Sequence, residues 1–179
     1  MDSRTEIDVL KEEIARAFLD VPHPGAPENI IDVPCCPDHD AVAEWSSLHT
    51  WQDLAGDLET LDYEPTNWVF FRPEAFRYFV PGALTFIVRN ADRDPEGDSW
   101  GTRCWRPMDW VGATIVPEGY VRSDGTNSMD EFRAEYLPLF SQDQKRVVIR
   151  VLEFLIAYAS VETITGIRAA IREIWTAGT

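Results

Sequence analysis

The amino-acid sequence predicts a mainly α-helical protein, built as a single irregular domain of about six helices. Apolar residues recur every three or four positions in several separate segments, the spacing that places them on one face of a helix. Two of these segments follow a Ser-x-x-Glu or Ser-x-x-Gln sequence, which is typical of a capped helix start. At 179 residues the chain is long enough for one domain with one hydrophobic core.

The first helix is predicted from Ser3 and Glu6, which form a capping-box pattern. Four apolar residues then follow at helical spacing: Ile7, Leu10, Ile14 and Phe18. We expect the helix to end near Val21, because the prolines that follow cannot continue it. Pro37 suits the first turn of a second helix. A short apolar stripe follows in that helix: Val42, Trp45 and Leu48.

The third and fourth helices carry the most apolar faces of the sequence. Thr50 and Asp53 indicate a helix start, and an apolar face follows: Trp51, Leu54, Leu58 and Leu61. Pro73 can open the fourth helix, in which Phe76 and Phe79 are predicted to be buried. Pro81 lies within the same stripe, and we expect it to kink this helix because it lacks an amide donor.

The segment 90–128 is irregular and rich in Gly, Pro, Asp and Trp, so we place it at the surface. Within it, residues 114–121 can supply a small β-hairpin. Helical patterning resumes at Phe132, and Ser141 with Gln144 forms another capping box. The apolar residues of the last two helices are Val147, Val148, Val151, Leu152, Leu155 and Ile156, followed by Ile164, Ile167, Ile171, Ile174 and Trp175.

The net charge of −15 is concentrated in the first third of the chain. Residues 1–64 carry 16 acids and 3 bases, whereas residues 141–179 carry 4 acids and 5 bases. A nucleic-acid-binding protein needs a basic surface to displace counterions from phosphates, so we expect no nucleic-acid partner. The acidic third can instead attract a basic protein, or it can serve solubility alone.

Cysteine usage and the lack of a secretory or membrane-spanning pattern favour a cytoplasmic protein that does not associate with a membrane. The first residues lack the basic flank and apolar core of a secretory signal, and no apolar stretch is long enough to span a bilayer. The three cysteines are an odd set in which Cys35 and Cys36 are adjacent, a poor basis for extracellular disulfides. Reduced thiols in a cytosol are the simpler interpretation.

Cys35, Cys36 and His39 are the candidate metal ligands or thiol-chemistry residues of the sequence. A structural zinc site normally shows paired C-x2-C or H-x3-H spacings, and the chain has neither. The alternative interpretation is that Cys36 is a small buried residue and His39 a surface residue beside a helix start. No recognisable catalytic motif is present, and we expect no cofactor.

A candidate partner-binding group lies in the irregular segment, where tryptophans alternate with arginines: Trp100, Arg103, Trp105, Arg106 and Trp110. Both residue types are enriched at the energetic centres of protein interfaces. The same tryptophans can instead anchor a long loop onto the body of the domain, and the sequence leaves both interpretations open.

The run from Pro73 to Pro81, Pro-Glu-Ala-Phe-Arg-Tyr-Phe-Val-Pro, resembles a motif of an uncharacterised bacterial family of unknown function. Cys36, Asp40 and the Trp51-Gln-Asp-Leu54 element resemble the same family's pattern, so the resemblance covers roughly residues 5–90. The chain departs from that pattern at Arg72, where the family pattern has a capping serine or threonine, and at Phe79 and Val80. The resemblance implies a helical fold and a bacterial source, and it implies no activity.

These observations lead to two functional hypotheses. The first is a non-enzymatic protein-interaction module, of the immunity or regulatory kind, that binds another protein. Its basis is the charge asymmetry, the aromatic irregular segment and the analogy with small acidic bacterial proteins encoded near toxin or defence genes. The alternative is a small metalloprotein or enzyme that uses Cys35, Cys36 and His39.

Overall fold

A computed structural model describes residues 3–31, 37–57, 71–91, 130, 132–159 and 161–176. Within these ranges the protein is mainly α-helical, as the sequence predicts, and the extended backbone is limited to a single antiparallel bridge between Ile31 and Phe71. The hairpin predicted for residues 114–121 lies outside the described residues. None of the described helices is long and apolar enough to cross a membrane.

Six α-helices set the architecture of the described ranges: α1 Ser3–Ala17, α2 Pro37–Leu48, α3 Trp51–Asp57, α4 Pro73–Arg89, α5 Gln142–Leu155 and α6 Val161–Ala170. Two π-helical turns flank the last helices, Phe132–Tyr136 and Ile171–Trp175. Short 3₁₀ turns occur at Pro27–Asn29 and Leu137–Leu139. The turn at Leu137–Leu139 leads into α5, which begins with the predicted Ser141–Gln144 capping box, both hydrogen bonds of which are present.

Helix α4 lies at the centre of the described helices. It is apolar around most of its circumference, and α1, α3, α5 and the turns at 132–139 all contact it. Pro73 occupies its first turn, and Arg72 precedes it without a side-chain cap, since a guanidinium has no acceptor to offer. The helix continues without interruption through Pro81, and the Thr85 hydroxyl donates to the Pro81 carbonyl oxygen at 2.8 Å.

The apolar stripes predicted for α1 and α5 are confirmed, and the two helices contact each other as well as α4. The fully buried side chains of these two helices are Leu10, Ile14, Val148, Val151, Leu152 and Leu155. An ion pair between Glu13 and Arg150 joins the outer edges of the same two helices. The stripe of the last helix is confirmed at its deepest positions, Ile167, Ile174 and Trp175.

An aromatic cluster fills the space between α4 and the C-terminal elements. Phe76 meets Phe132, Tyr136 and Phe140 edge to face, with ring centroids 5.4–6.3 Å apart. Trp175 closes the cluster against Phe140 at 5.3 Å. The predicted burial of Phe76 and Phe79 is therefore correct.

Gln144 is the polar residue that joins three helices inside this core. Its side-chain amide donates to the Ala17 carbonyl at the end of α1, at 3.0 Å. Its Oε1 accepts from the Ser141 amide at 3.0 Å and from Arg77 Nε at 3.2 Å. Gln144 is almost fully buried, and these bonds satisfy its amide where water cannot.

Two local predictions need correction. The first helix ends at Ala17, and a turn then leads to Val21, whose amide donates to the Phe18 carbonyl. Leu48 was expected to share a buried stripe with Val42, but 81% of its surface is exposed. Because an α-helix has 3.6 residues per turn, the two three-residue steps from Val42 to Leu48 do not complete whole turns. Leu48 therefore lies about 120° around the helix from the buried Val42.

Candidate interaction surface

The candidate site residues of the sequence fall almost entirely outside the described ranges. Cys35 and Cys36 lie outside them, and His39 lies in α2 without a described side chain. The five candidate partner-binding residues, Trp100, Arg103, Trp105, Arg106 and Trp110, also lie outside the described residues. Among the side chains that are described, no group of three His, Cys, Asp or Glu residues is placed to hold a metal ion.

Within the described part of the acidic first third, the surface where α2 meets α3, residues 44–54, carries several side-chain hydrogen bonds. We call it the α2–α3 corner. Thr50 caps α3: its amide and hydroxyl both donate to Asp53 Oδ2 at 2.8 Å, and its Oγ1 faces the Asp53 amide at 3.4 Å. This reciprocal pattern fixes the direction in which the chain enters α3.

Asp53 is held in its charged form by this cap. The backbone and side-chain hydrogen bonds from Thr50 lower the pKa of the Asp53 carboxyl, and His49 lowers it further by its charge. The carboxylate is exposed to solvent, so the corner presents a fixed negative charge at neutral pH.

His23 ties the corner to the loop that follows α1. The Gly25 amide donates to His23 Nδ1 at 2.9 Å, so Nδ1 is an acceptor and Nε2 carries the ring hydrogen. Nε2 then lies 2.9 Å from the carbonyl oxygen of His49 and 3.1 Å from that of Ser46. These carbonyls lie at the C-terminal end of α2. Gly25 adopts a φ of +83°, a conformation that favours glycine.

Helix α4 also packs against the corner and against His23. Tyr78 and Phe79 of α4 contact the His23 ring edge to face, with centroids 4.8 and 6.0 Å away. The side chains of Trp51 and Leu54 are buried against the core, so α3 cannot rotate freely on α4. Burial raises the pKa of the Tyr78 hydroxyl, with the charge of Asp53 adding to the rise and the Trp51 backbone opposing it.

Two large apolar side chains are exposed on the chain segments that His23 joins. Leu48 is 81% exposed and lies between the two residues whose carbonyls His23 contacts. Leu19 is 75% exposed and lies four residues before His23. Isolated exposed leucines are common on protein surfaces, but these two lie on chain segments that one side chain holds together.

The sequence around this corner is strongly acidic. Residues 17–71 contain eleven acids and neither lysine nor arginine. Asp20, Glu44 and Asp53 are exposed acids within the described part of that stretch. The corner therefore combines exposed leucines, fixed negative charge and a backbone that is anchored at several points.

His23 has a structural role beside this corner. Both of its ring nitrogens lie in hydrogen bonds, Nδ1 with the Gly25 amide and Nε2 with the carbonyl oxygen of His49. Sequence reasoning located the acidic third but missed both His23 and Leu48. The signal for Leu48 was present in its angular position relative to Val42, whereas nothing local to His23 indicates carbonyls more than twenty residues away.

The chain matches no protein-family model, no curated protein sequence and no solved structure.

Proposed function

We propose that the protein is a non-enzymatic protein-interaction module of the immunity or regulatory kind, which binds a basic protein in the cytoplasm. The observation that carries this proposal is the α2–α3 corner, where exposed Leu48 and the fixed charge of Asp53 stand on an anchored backbone. The odd number of cysteines, two of them adjacent, supports the compartment.

Charge supports a basic partner in particular. A stretch of 55 residues with eleven acids and neither lysine nor arginine produces a negative field, which raises the rate of encounter with a positively charged surface. It also disfavours acidic partners and nucleic acids, whose charge has the same sign. The association rate with the partner should therefore fall as ionic strength rises through the physiological range.

Rigidity of the corner supports a binding role for Leu48. Binding costs less free energy when the contacting groups are already held in place. The cap between Thr50 and Asp53 and the His23 contacts hold the backbone on both sides of Leu48. An exposed leucine on such a platform can enter a partner pocket with little loss of backbone entropy.

Site-specific photo-crosslinking in the native host tests the proposal. A photoreactive amino acid replaces Leu48 in one variant and Val161 in a matched control, because Val161 is 83% exposed at the start of α6. We expect an adduct with one basic protein from position 48 and a much weaker adduct from position 161. The proposal is wrong if position 48 gives no adduct above the control, or if the captured protein is acidic.

The tryptophans and arginines of the segment 90–128 are a second candidate group for binding the partner. Trp105→Ala separates the two roles that the sequence leaves open, through two measurements on one variant. A loop anchor should lose several kcal/mol of stability, about 3–5 kcal/mol for a well-packed tryptophan, with the affinity of the folded fraction unchanged. A recognition residue should keep its stability and lose about 2 kcal/mol or more of binding free energy.

Elemental analysis distinguishes the interaction module from the metalloprotein or enzyme that Cys35, Cys36 and His39 suggest. The proposal predicts that freshly purified protein holds no stoichiometric zinc or iron. Near-stoichiometric metal that is lost from a Cys35→Ser, Cys36→Ser variant would favour the alternative instead.

A further inference from the structure

We propose that Leu19 and Leu48 together receive the apolar face of a cationic amphipathic helix supplied by the partner. This inference rests on the proposed function and names the chemistry of the partner at the same corner. Beyond a general attraction of opposite charges, it requires that apolar and basic side chains of the partner alternate at helical spacing.

The His23 contact brings the two leucines within reach of one helix. Leu19 and His23 are four positions apart, so their Cα atoms are separated by at most about 14 Å when the chain is extended. At its other end the His23 ring contacts the carbonyls that flank Leu48. A helix of about 18 residues is about 27 Å long, which is sufficient to cover both leucines.

The charge around the leucines complements a basic helix. Asp20 follows Leu19 directly, Glu44 lies one helical turn before Leu48, and Asp53 follows in the first turn of α3. All three are exposed, and the Thr50 cap orients Asp53. Lysine or arginine residues beside the apolar stripe of a bound helix can therefore meet the carboxylates that neighbour Leu19 and Leu48.

A purely polar basic segment fits this surface less well. Leu19 is 75% exposed and Leu48 is 81% exposed. Only apolar side chains of a partner can remove these two surfaces from water. A chain that carries charge alone would leave both leucines in water and would depend entirely on screened surface interactions, which are weak at physiological salt.

The experiment uses the full-length protein and two defined fluorescent peptides, with binding followed by fluorescence anisotropy. The first peptide is a leucine–lysine helix of about 18 residues with leucines at helical spacing. The second keeps every lysine and replaces each leucine with serine. We expect the leucine–lysine peptide to bind at physiological salt and the serine analogue to bind at least tenfold more weakly.

Variants of the protein locate the contact. Leu19→Ser and Leu48→Ser should each weaken binding of the leucine–lysine peptide about tenfold, because each removes an apolar contact from an exposed position. Val161→Ser is the matched control and should leave binding unchanged. Circular dichroism and thermal unfolding verify that all three variants fold, which is expected because each side chain is exposed.

Three results would overturn the inference: no binding of the leucine–lysine peptide, equal binding of the two peptides, or an equal loss in Leu48→Ser and Val161→Ser. These results are separable from a failure of the proposed function. If position 48 crosslinks to a basic host protein while the peptides behave alike, the interaction module stands and the amphipathic helix does not. If neither experiment gives binding at the corner, both fall.

Discussion

The carbonyl oxygen of Trp51 occupies the space that a side chain at Gly82 would need. A Cβ placed at position 82 would stand 2.6 Å from this oxygen and 3.2 Å from two carbon atoms of Leu54. Helices α3 and α4 therefore approach each other more closely than any residue larger than glycine allows. This contact holds the α2–α3 corner against α4.

Gly82→Ala should destabilise the protein, against the usual direction of this change. Alanine in a helix interior is ordinarily more stable than glycine by about 1 kcal/mol. Here the new methyl group meets a backbone oxygen that cannot move without shifting α3, and we expect a net loss of about 1–3 kcal/mol. Denaturant unfolding measures the sign, and a stabilised variant would show that α3 moves away from α4 at little cost.

Phe76→Ala should cost about 3–5 kcal/mol of unfolding free energy, because it removes the ring around which the aromatic cluster packs. Val161→Ala serves as the control, since its side chain is exposed and its loss should change stability by less than about 0.5 kcal/mol. Wild-type thermal stability in the Phe76 variant would contradict the central position of this ring.

The sequence predicts the helices and the core because both depend on local patterns. The stripe that contains Leu10 and Ile14, and the burial of Phe76, follow from the period of 3.6 residues, and the start of α5 follows from the Ser141 capping box. These features need no knowledge of which helix packs against which.

Long-range contacts could not be predicted in this way. His23 meets carbonyls 23 and 26 positions later, and Gln144 bonds to Ala17 across 127 positions, so no window along the chain contains both partners. Gly82 reads as a helix-weakening residue until the position of Trp51 is known. The candidate corner depends on contacts of this long-range kind, whereas the fold class does not.

Gln144→Ala should destabilise the fold by about 1–3 kcal/mol, because it leaves the Ala17 carbonyl and Arg77 Nε without their partner and removes half of the α5 cap. Gln142→Ala is the matched control, two positions earlier and exposed. Unfolding of both variants in urea provides the measurement. An equal effect at the two positions would mean that the polar junction contributes nothing beyond helix propensity.

Asp53 should contribute stability that depends on pH. Its carboxyl has a lowered pKa in the folded protein, chiefly through the hydrogen bonds from Thr50. The contribution is therefore complete above the ordinary aspartate pKa of about 3.9 and is lost as pH falls through the lower, folded value. The stability difference between wild type and Asp53→Asn should be small but measurable at pH 7 and should shrink below about pH 4. A difference that stays constant down to pH 2 would contradict this role of the cap.

Asn90→Asp should create a pH-dependent defect at the end of α4. The Asn90 side chain is buried, its Nδ2 donates to the Phe86 carbonyl at 2.8 Å, and its Oδ1 has no hydrogen-bond partner within the described part of the chain. An ionised aspartate there has no hydrogen to donate and is desolvated, so we expect a loss of about 3 kcal/mol or more at neutral pH. Protonation restores a donor for the Phe86 carbonyl.

The folded state of this variant favours the protonated acid, which raises the pKa of the introduced carboxyl group. The stability that the protonated acid recovers is therefore complete below the ordinary aspartate pKa of about 3.9 and is lost as pH rises to the folded value. Unfolding measured against wild type at each pH should show the deficit shrinking as pH falls. Asn29→Asp is the matched control, because Asn29 also donates to a carbonyl, that of Pro24 at 3.0 Å, but from an exposed position where water solvates the charge. A deficit that is independent of pH, or equal at the two positions, would mean that Asn90 stabilises α4 by its shape rather than by its hydrogen bond.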